Sequence, residues 1–301
     1  MKNALTFDIE EYFHAEAFAR VLRPEEWPGL ESRVVDTTER LLDILDYADA
    51  RATFFILGWV AERYPSLVKD IAGRGHEIAC HGYGHQMIQR QSRQDFAKDI
   101  QRAKTAIEDA VGVAVIGYRA PTFSITRDTL WSLEVLWETG FLYDSSIFPI
   151  LHDRYGISDA PRFPHRMAIG NGDGKAKGVM NGHAAPAHSI AEFPLSTICI
   201  LGRRLPIAGG GYFRLAPYLI TRRAIRHLNT KEQQPAIVYL HPWELDVHQP
   251  KVRAGWLTRF RHSINIPSTE GKLRRLLKDF RFAPVRDVLR KSGVLTLGAP
   301  R

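Results

Sequence analysis

Short apolar runs alternate along the chain with longer segments in which apolar residues recur every three or four positions. The short runs, which the pattern predicts to be buried strands, are 4–7, 52–57, 76–81, 115–118, 141–144 and 236–240. The longer segments, predicted to be helices, are 34–47, 60–72, 93–111, 126–138, 222–228, 269–280 and 285–291. Strands that alternate with helices in this way form parallel sheets covered by helices. The sequence therefore predicts an α/β fold.

Side chains that can bind metal ions lie at the ends of two of these strands. Asp8 and Glu10 end the first strand, and they can share one face because side chains alternate along a strand. His81 and His85 lie at the end of the third strand. Carboxylates and imidazoles bind Zn²⁺ and similar ions, and three protein ligands leave positions open for water and substrate. The set predicts a catalytic metal site that hydrolyses an amide or an ester.

Two histidines four residues apart are a modest signal alone, because such pairs often share a solvated face. Here Gly82 and Gly84 permit a sharp turn after the strand, so that the two rings can converge. Metalloproteases with a His-Glu-x-x-His motif carry their base inside the motif, where this chain has Gly82. The base must come from elsewhere, and Asp8 is the candidate.

Length and charge agree with one large domain and an extension. The chain has 301 residues, 45% of them hydrophobic, and we place a boundary at residue 250, with a basic helical extension over 251–301 packed on a barrel. The net charge of +8 is concentrated towards the C-terminus. A basic face can attract acidic polysaccharide, nucleic acid or anionic lipid, but a solvated helix surface is the simpler interpretation. No nucleic-acid-binding motif is present, so no nucleic-acid partner is predicted.

The location of the protein is predicted from its cysteines and apolar runs. Cys80 and Cys199 lie far apart in sequence and imply no disulfide framework. The chain opens on a strand, which leaves no room for a signal peptide, and no apolar run approaches the roughly 20 residues of a membrane span. We therefore expect a cytoplasmic protein.

A glycine-rich and polar stretch at about 169–188 breaks the alternating pattern and is predicted to be a mobile insertion. His183 and His188 lie in or beside it. We interpret both as solvated loop histidines.

Five short blocks occur in a fixed order along the chain: 6–10, 81–85, 119–121, 144–146 and 239–244. In these blocks the chain resembles the polysaccharide deacetylases with a NodB homology domain, carbohydrate esterase family four. Through 9–14, 209–214 and 241–244 it looks most similar to the subgroup associated with exosortase and PEP-CTERM exopolysaccharide loci. The resemblance implies a distorted (β/α)7 barrel. It also implies that the protein acts in the cytoplasm or at the inner face of the inner membrane. Peripheral contact of the protein with that membrane stays open.

The resemblance implies a metal centre and a base. Glu10, His81 and His85 would hold a divalent ion, most simply Zn²⁺, with Co²⁺, Mn²⁺ or Ni²⁺ as alternatives, and Asp8 would deprotonate water. Most of the family has two adjacent aspartates in the first block, whereas here Ile9 intervenes. Whether Glu10 or Glu11 is the carboxylate ligand therefore stays open.

The remaining blocks are assigned roles by the same resemblance. His241 would be the general acid that protonates the leaving amine. Asp144 would orient its ring, and Arg119 would pair with Asp8. The backbone N–H of Tyr83 would donate to the oxyanion. The ordinary alternative is that Arg119 and Asp144 form a structural ion pair.

Candidates to contact the sugar are aromatic or lie in the matched blocks. They are Tyr83, Pro121, Tyr212 and Trp243, with Phe213 and Trp131 as weaker candidates. His14 and Glu244 lie near the motifs, and their positions in the sequence leave their roles open.

The resemblance implies a metal-dependent N-deacetylase acting on an N-acetylated polysaccharide, or its precursor, in exopolysaccharide biosynthesis. Two alternatives stay open. One is a small-molecule amidohydrolase on a similar barrel, including cyclic-ureide hydrolysis. The other is a non-catalytic carbohydrate-binding protein with a structural metal. The oligomeric state is not predicted.

Overall fold

In the computed structural model, strands and helices alternate along most of the chain. The structure describes residues 1–170, 179–180, 188–207 and 209–296. Most of the predicted insertion at about 169–188, with His183, lies outside the described residues. His188, at its end, is exposed and stacks on Trp137 with 4.6 Å between ring centroids.

The strands and helices have the following bounds. The strands are β1 (Lys2–Ile9), β2 (Thr53–Ile56), β3 (Glu77–Cys80), β4 (Gly117–Tyr118), β5 (Tyr143–Asp144), β6 (His165–Ala168), β7 (Val179–Met180), β8 (Ser189–Glu192), β9 (Thr197–Ile200), β10 (Arg203–Pro206), β11 (Ile237–Leu240) and β12 (Arg281–Ala283). The α-helices are α1 (Val34–Tyr47), α2 (Gly58–Arg63), α3 (Pro65–Gly73), α4 (Arg93–Val111), α5 (Ser132–Glu138), α6 (Gly210–Leu215), α7 (Tyr218–Thr230), α8 (Trp256–Ser263), α9 (Ile266–Asp279) and α10 (Val285–Lys291).

The main part of the sheet is a curled, incomplete barrel of parallel strands, and the antiparallel strands β6 and β7 continue it beyond β8. Strands β11, β1, β2, β3, β4, β5 and β8 pair in that order, each parallel to the next. The chain after β8 contacts β11 through a parallel bridge between Gly209 and Tyr239 and a 2.8 Å hydrogen bond from Ile237 N–H to the Ser196 hydroxyl oxygen. This architecture confirms the predicted distorted (β/α)7 barrel.

Helix α4 shows how the sequence pattern sets the packing. Five apolar residues at helical spacing are buried: Phe96, Ile100, Ala103, Ile107 and Ala110. Ser92 caps the N-terminus by accepting a hydrogen bond from Asp95 N–H, and the helix ends at Gly112, whose φ of 71° suits a glycine. The predicted bounds of 93–111 are confirmed.

Two predicted helices are shorter or divided in the structure. The segment 60–72 forms α2 and α3, because Pro65 has no N–H to continue a helix and instead begins the second one. The segment 126–138 starts with a 3-10 turn at Arg127–Thr129 and becomes α-helical only at Ser132.

The C-terminal segment both covers the barrel and extends its sheet. Strand β12 pairs in parallel with β1, and α10 packs near the same strand. The division at residue 250 stays a prediction.

Parallel strands end at the same edge of the sheet, and this edge carries the site. Asp8 lies near the end of β1, His81 follows β3, Arg119 follows β4 and His241 follows β11. The fold therefore brings together residues that are up to 233 positions apart in sequence, as the Trp243–Glu10 hydrogen bond shows.

Candidate active site

Three predicted metal ligands converge at the carboxyl end of the barrel. One donor atom from each of Glu10, His81 and His85 lies within 4.8 Å of the others, and all three residues are buried. The distance from Glu10 Oε2 to His85 Nε2 is 2.8 Å. Two imidazoles and a carboxylate are a donor set that suits Zn²⁺ and leaves coordination positions open. The side chains present therefore fit a divalent metal.

Neighbouring groups fix the orientation of these side chains. His81 Nδ1 lies 2.8 Å from the Arg119 carbonyl oxygen, which leaves Nε2 facing the cleft. The Trp243 indole N–H donates to Glu10 Oε1 at 3.1 Å. His85 has a φ of 52°, in the left-handed region that few non-glycine residues adopt, at the end of the turn that begins at Gly82. The turn thus holds the second imidazole against Glu10.

The charges at this centre favour metal binding. Burial alone raises the pKa of Glu10, but the imidazoles of His85, His241 and His81 outweigh it and hold that pKa below its ordinary value. Burial lowers the pKa of His81 to about 4. At neutral pH the carboxylate is ionised and the His81 imidazole is neutral, which are the forms that bind metal.

Glu11 points away from this centre. Its carboxylate accepts hydrogen bonds from the Ser32 hydroxyl and from Arg33 N–H, the latter at 3.0 Å. Glu10, whose oxygens face His85 and Trp243, is the carboxylate at the candidate metal centre.

Replacing Glu10 by Gln is expected to weaken metal binding by at least about 100-fold, because it removes the charged donor. Glu11→Gln is the matched control and should retain metal, since its carboxylate is bound to the Ser32 hydroxyl and Arg33 N–H and not to the metal-binding side chains. Competition between the protein and a chromophoric zinc chelator measures both affinities. Loss of zinc from Glu11→Gln with retention in Glu10→Gln would reverse the assignment.

The candidate base is held by a buried guanidinium. Arg119 NH1 donates to Asp8 Oδ1 at 2.8 Å and to the Thr6 hydroxyl at 2.7 Å. The same guanidinium donates to the backbone and side-chain oxygens of Ser145 at 3.0 Å each, and it is fully buried. Asp8 therefore keeps a fixed orientation, with Oδ2 lying 3.9 Å from His241 Nε2. The predicted pairing of Arg119 with Asp8 is present.

The prediction that Asp144 orients His241 was wrong. His241 Nδ1 instead lies 3.1 Å from Glu244 Oε2, and the same oxygen accepts from His241 N–H at 3.0 Å. Arg214 donates to the other Glu244 oxygen at 2.7 Å, and both members of this ion pair are buried. Burial acts to lower the pKa of His241, but the hydrogen bond to Glu244 and the charge of Glu10 raise it to about 9.

Asp144 belongs to a separate pair of buried carboxyls. Its oxygens accept hydrogen bonds from the Ser146 hydroxyl at 2.5 Å and from Ser146 N–H at 3.1 Å. It also interacts with the carboxyl group of Glu192, which accepts from Ile147 N–H at 3.1 Å. Burial, together with the charge of Asp144, raises the pKa of Glu192 well above its ordinary value. Like charges held together out of water cannot both ionise easily, so the pair retains a proton.

Replacing Glu192 by Gln is expected to make the free energy of unfolding depend less on pH. The folded protein holds this proton to a higher pH than the unfolded chain, so the carboxyl destabilises the fold as pH rises above 4.5, the ordinary value. Because Gln is neutral, the variant should gain stability relative to the parent as pH rises above 4.5, by up to about 1.4 kcal/mol for each pH unit. Urea unfolding at several pH values measures this difference. Exposed Glu39→Gln is the control, and parallel curves for parent and Glu192→Gln would contradict the assignment.

Tyr83 does not face the cleft, so its predicted role was wrong. Its N–H donates to Asp99 Oδ2 at 2.9 Å, and its hydroxyl donates to Glu62 at 2.7 Å. The Arg102 guanidinium lies over the ring at 3.6 Å from the centroid. The backbone N–H is therefore already bound to a carboxylate on the outer side, towards α4.

The cleft is small and lined by several predicted site residues. Its volume is about 170 Å³, and its lining is Asp8, Glu10, Ala15, Glu16, His81, His85, Thr122, Phe123, Tyr155, Gly210, Gly211, Tyr239, His241, Trp243 and Glu244. Pro121 is buried behind this lining, and its neighbours Thr122 and Phe123 reach the cleft instead.

The aromatic candidates are placed differently from one another. Trp243 lines the cleft, but its ring stacks on His241 and His262 at centroid distances of 4.9 and 4.3 Å. Tyr212 stands behind the lining, with its hydroxyl 3.2 Å from that of Tyr155. Phe213 is buried in the core, and Trp131 packs against core residue Phe96.

His14 lies beside the metal centre in an apolar environment. It is buried, accepts from Glu11 N–H at 3.1 Å and packs edge-on to Trp27 and Trp59. Burial lowers its pKa to about 3, so His14 is neutral.

Comparison with known families agrees with this geometry. A model described as polysaccharide deacetylase matches residues 3–136, and a model described as a domain of unknown function (DUF3473) matches residues 145–290. Over residues 3–136, which we call the deacetylase part, the chain is similar to the polysaccharide deacetylase family. This deacetylase part supplies Asp8, Glu10, His81, His85 and Arg119, whereas His241, Glu244 and Arg214 lie in the second region. The candidate site is thus assembled from both.

Curated relatives of the deacetylase part match over a short stretch. A peptidoglycan deacetylase-like protein of Gibberella zeae is 38% identical over 113 residues, which are 36% of this chain and 32% of that protein. A peptidoglycan-N-acetylglucosamine deacetylase of Bacillus cereus is 32% identical over 101 residues, 33% of this chain and 37% of that protein. The chain therefore spans about a third of the length of these relatives.

A solved structure extends the likeness to the whole fold. A crystal structure from Mycobacterium smegmatis, of a protein provisionally assigned as a polysaccharide deacetylase, has a TM-score of 0.59 at 21% identity and covers 99% of this chain and 93% of its own. None of the helices within the described residues is long and apolar enough to cross a bilayer.

Glu244 and Arg214 are the functional candidates that the sequence analysis did not assign. The spacing of His241 and Glu244, three residues apart after a strand, is that of a capping box, and the structure shows this motif at the 3-10 helix Pro242–Leu245. That spacing was a usable signal. Arg214 lies in the block 209–214 that carried the resemblance, but its partner could not be predicted, because its contact with Glu244 depends on how α6 packs.

Proposed function

We propose that the cleft is the active site of a metal-dependent hydrolase that removes N-acetyl groups from amino sugars of a polysaccharide. The supporting observation is that Asp8, Glu10, His81, His85 and His241 converge on one cleft at the carboxyl end of the barrel. The match of the deacetylase part to the polysaccharide deacetylase model and the names of its relatives favour this activity.

Glu10, His81 and His85 would hold the metal, and Zn²⁺ is the ion that this donor set suits best. When bound, the ion supplies Lewis acidity towards the acetamide oxygen and makes water easier to deprotonate. The chain's own residues supply the proton transfers and the orientation of the substrate.

Asp8 is the general base in this proposal. Its Oδ1 is anchored by Arg119, which leaves Oδ2 directed towards the cleft to accept a proton from the attacking water. The hydrogen bond from the buried guanidinium prevents the carboxylate from rotating.

His241 is the general acid. Its Nδ1 side is held by Glu244, so its Nε2 faces the cleft and can protonate the nitrogen that leaves when the amide C–N bond breaks. Arg214 holds Glu244 in turn. Proton acceptor and proton donor thus flank the same space.

We propose further that the substrate is an exopolysaccharide or its precursor, deacetylated in the cytoplasm or at the inner face of the inner membrane. The resemblance of blocks 9–14 and 209–214 to the exopolysaccharide-associated subgroup supports this narrower proposal.

Acetate release tests the proposed activity. Purified protein is incubated with a panel of N-acetylated glycans, with and without Zn²⁺, and acetate and free amines are measured. Metal-dependent release of acetate in equal amounts to new amines is expected. Ammonia or ureide products from small amides would indicate a small-molecule amidohydrolase instead. Glycan binding without any product would indicate a carbohydrate-binding protein.

A further inference from the structure

A second concave surface lies beside the catalytic cleft. This groove, of about 450 Å³, is formed by Phe18, residues 246–252, α8 and the start of α9. Two large aromatic side chains at it, Trp256 and Phe260, are 74% and 55% exposed. Exposed rings of this size are unusual on a protein surface unless they contact a ligand or a partner.

A wall of stacked rings connects the groove with the cleft. His262 lines the groove and stacks on Trp243, which lines the cleft, at 4.3 Å and an angle of 19° between planes. The Phe18 ring also contacts His262, with 4.6 Å between ring centroids and an angle of 58° between planes. Phe18 borders the groove while Glu16, in the same short 3-10 helix, borders the cleft. The two concavities are therefore neighbours on one edge of the barrel.

The groove also carries cationic charge that none of the described residues neutralises. Lys251 and Arg259 line it, and neither forms an ion pair with any described residue. The acidic residue in the lining, Asp246, is already paired with Arg33 at 2.9 Å. An anionic ligand would therefore meet two free cations and no free carboxylate.

The cleft is too small for a polymer. At about 170 Å³ it is below the roughly 300–1,000 Å³ that sites for drug-sized molecules occupy, so most of a polysaccharide must lie outside it. The adjoining groove offers aromatic faces for the apolar sides of sugar rings and an arginine that can bind a carboxylate through two hydrogen bonds.

We propose that the groove binds sugar residues next to the one in the cleft, and that these sugars carry carboxylates or other anionic groups. This proposal rests on the proposed function, and it narrows the substrate to an acidic N-acetylated polysaccharide. A membrane surface is the main alternative, because exposed aromatic and basic residues on a helix are also typical of interfacial binding. The concave shape and the ring wall shared with the cleft favour a glycan.

Calorimetric titration tests the proposal on an Asp8→Asn background, where turnover is expected to be too slow to disturb the binding measurement. The probes are a heparosan oligosaccharide, in which N-acetylglucosamine alternates with glucuronate, and a neutral chitooligosaccharide of equal length. We expect the anionic probe to bind more tightly than the neutral one, and its affinity to fall when NaCl is added. Trp256→Ala and Arg259→Glu should each lower the affinity for the anionic probe by about tenfold. Exposed Tyr47→Ala and Arg223→Glu, in α1 and α7, are the matched controls and should leave binding unchanged.

Three results would overturn the proposal. The first is equal affinity for both probes. The second is an affinity for the anionic probe that does not change in Trp256→Ala and Arg259→Glu. The third is binding to vesicles that contain phosphatidylglycerol but to neither oligosaccharide. Acetate release by the unaltered protein is measured in parallel. If the unaltered protein releases acetate while the groove variants bind the anionic probe normally, the groove proposal is wrong but the proposed function stands. If the groove variants lose binding but no acetate is released from any glycan, the proposed function fails alone.

Discussion

Replacing Asp8 by Asn is expected to lower acetate release by about 10³-fold while the protein stays folded and keeps its metal. The amide oxygen of Asn can still accept the Arg119 hydrogen bond that Asp8 Oδ1 accepts at 2.8 Å, and Arg119 retains its bonds to Thr6 and Ser145. Only the ability to take a proton is lost, because an amide is not a base near neutral pH.

Activity, zinc content and thermal unfolding are measured on the same preparation of Asp8→Asn. Glu16→Gln is the control, since Glu16 also borders the cleft but pairs with Arg90 at the rim. Near-normal acetate release from Asp8→Asn would remove Asp8 as the base. A loss of zinc in that variant would mean that Asp8 contributes to the metal centre.

Replacing Glu244 by Ala is expected to destabilise the protein by about 3–5 kcal/mol and to lower activity. Glu244 is fully buried, and its removal leaves the guanidinium of Arg214, 4% exposed, without its 2.7 Å partner. His241 loses the contact that orients its ring. Urea unfolding gives the change in free energy, and acetate release gives the change in activity.

The double variant Arg214→Met with Glu244→Leu separates charge from packing. Because no buried charge is left unpaired, it should recover much of the stability, while activity stays low since His241 still lacks its partner. Glu26→Ala, at the exposed pair with Arg23, is the surface control and should not shift the urea midpoint. Equal effects of Glu244→Ala and Glu26→Ala would contradict the buried ion pair.

The parts of the fold that were predicted correctly depend on local pattern. Strand β1 and helix α4 have continuous apolar periodicity and clear ends, so their positions follow from the chain itself. Strands β6, β9 and β10 were not predicted. They are four residues long and only partly buried or exposed, so their sequences are too short and too polar for an apolar run to stand out.

In the candidate site, too, contacts between residues close in sequence could be predicted, whereas contacts between distant segments could not. His81 and His85 lie close in sequence and flank a glycine turn, so their convergence could be predicted. The partner of His241 could not be chosen reliably, because Asp144 lies at the end of β5 and its contacts depend on the register of β5 with β8. Tyr83 was misassigned because nothing in its own segment shows that Asp99 of α4 occupies its N–H.

The central claim is that Glu10, His81 and His85 bind one divalent ion within reach of Asp8 and His241. Anomalous diffraction at the zinc edge, from crystals of the zinc-loaded protein, tests it most directly. We expect one strong peak at roughly 2.0–2.2 Å from a Glu10 oxygen, His81 Nε2 and His85 Nε2. A zinc peak elsewhere in the molecule, with none between these three side chains, would contradict the account.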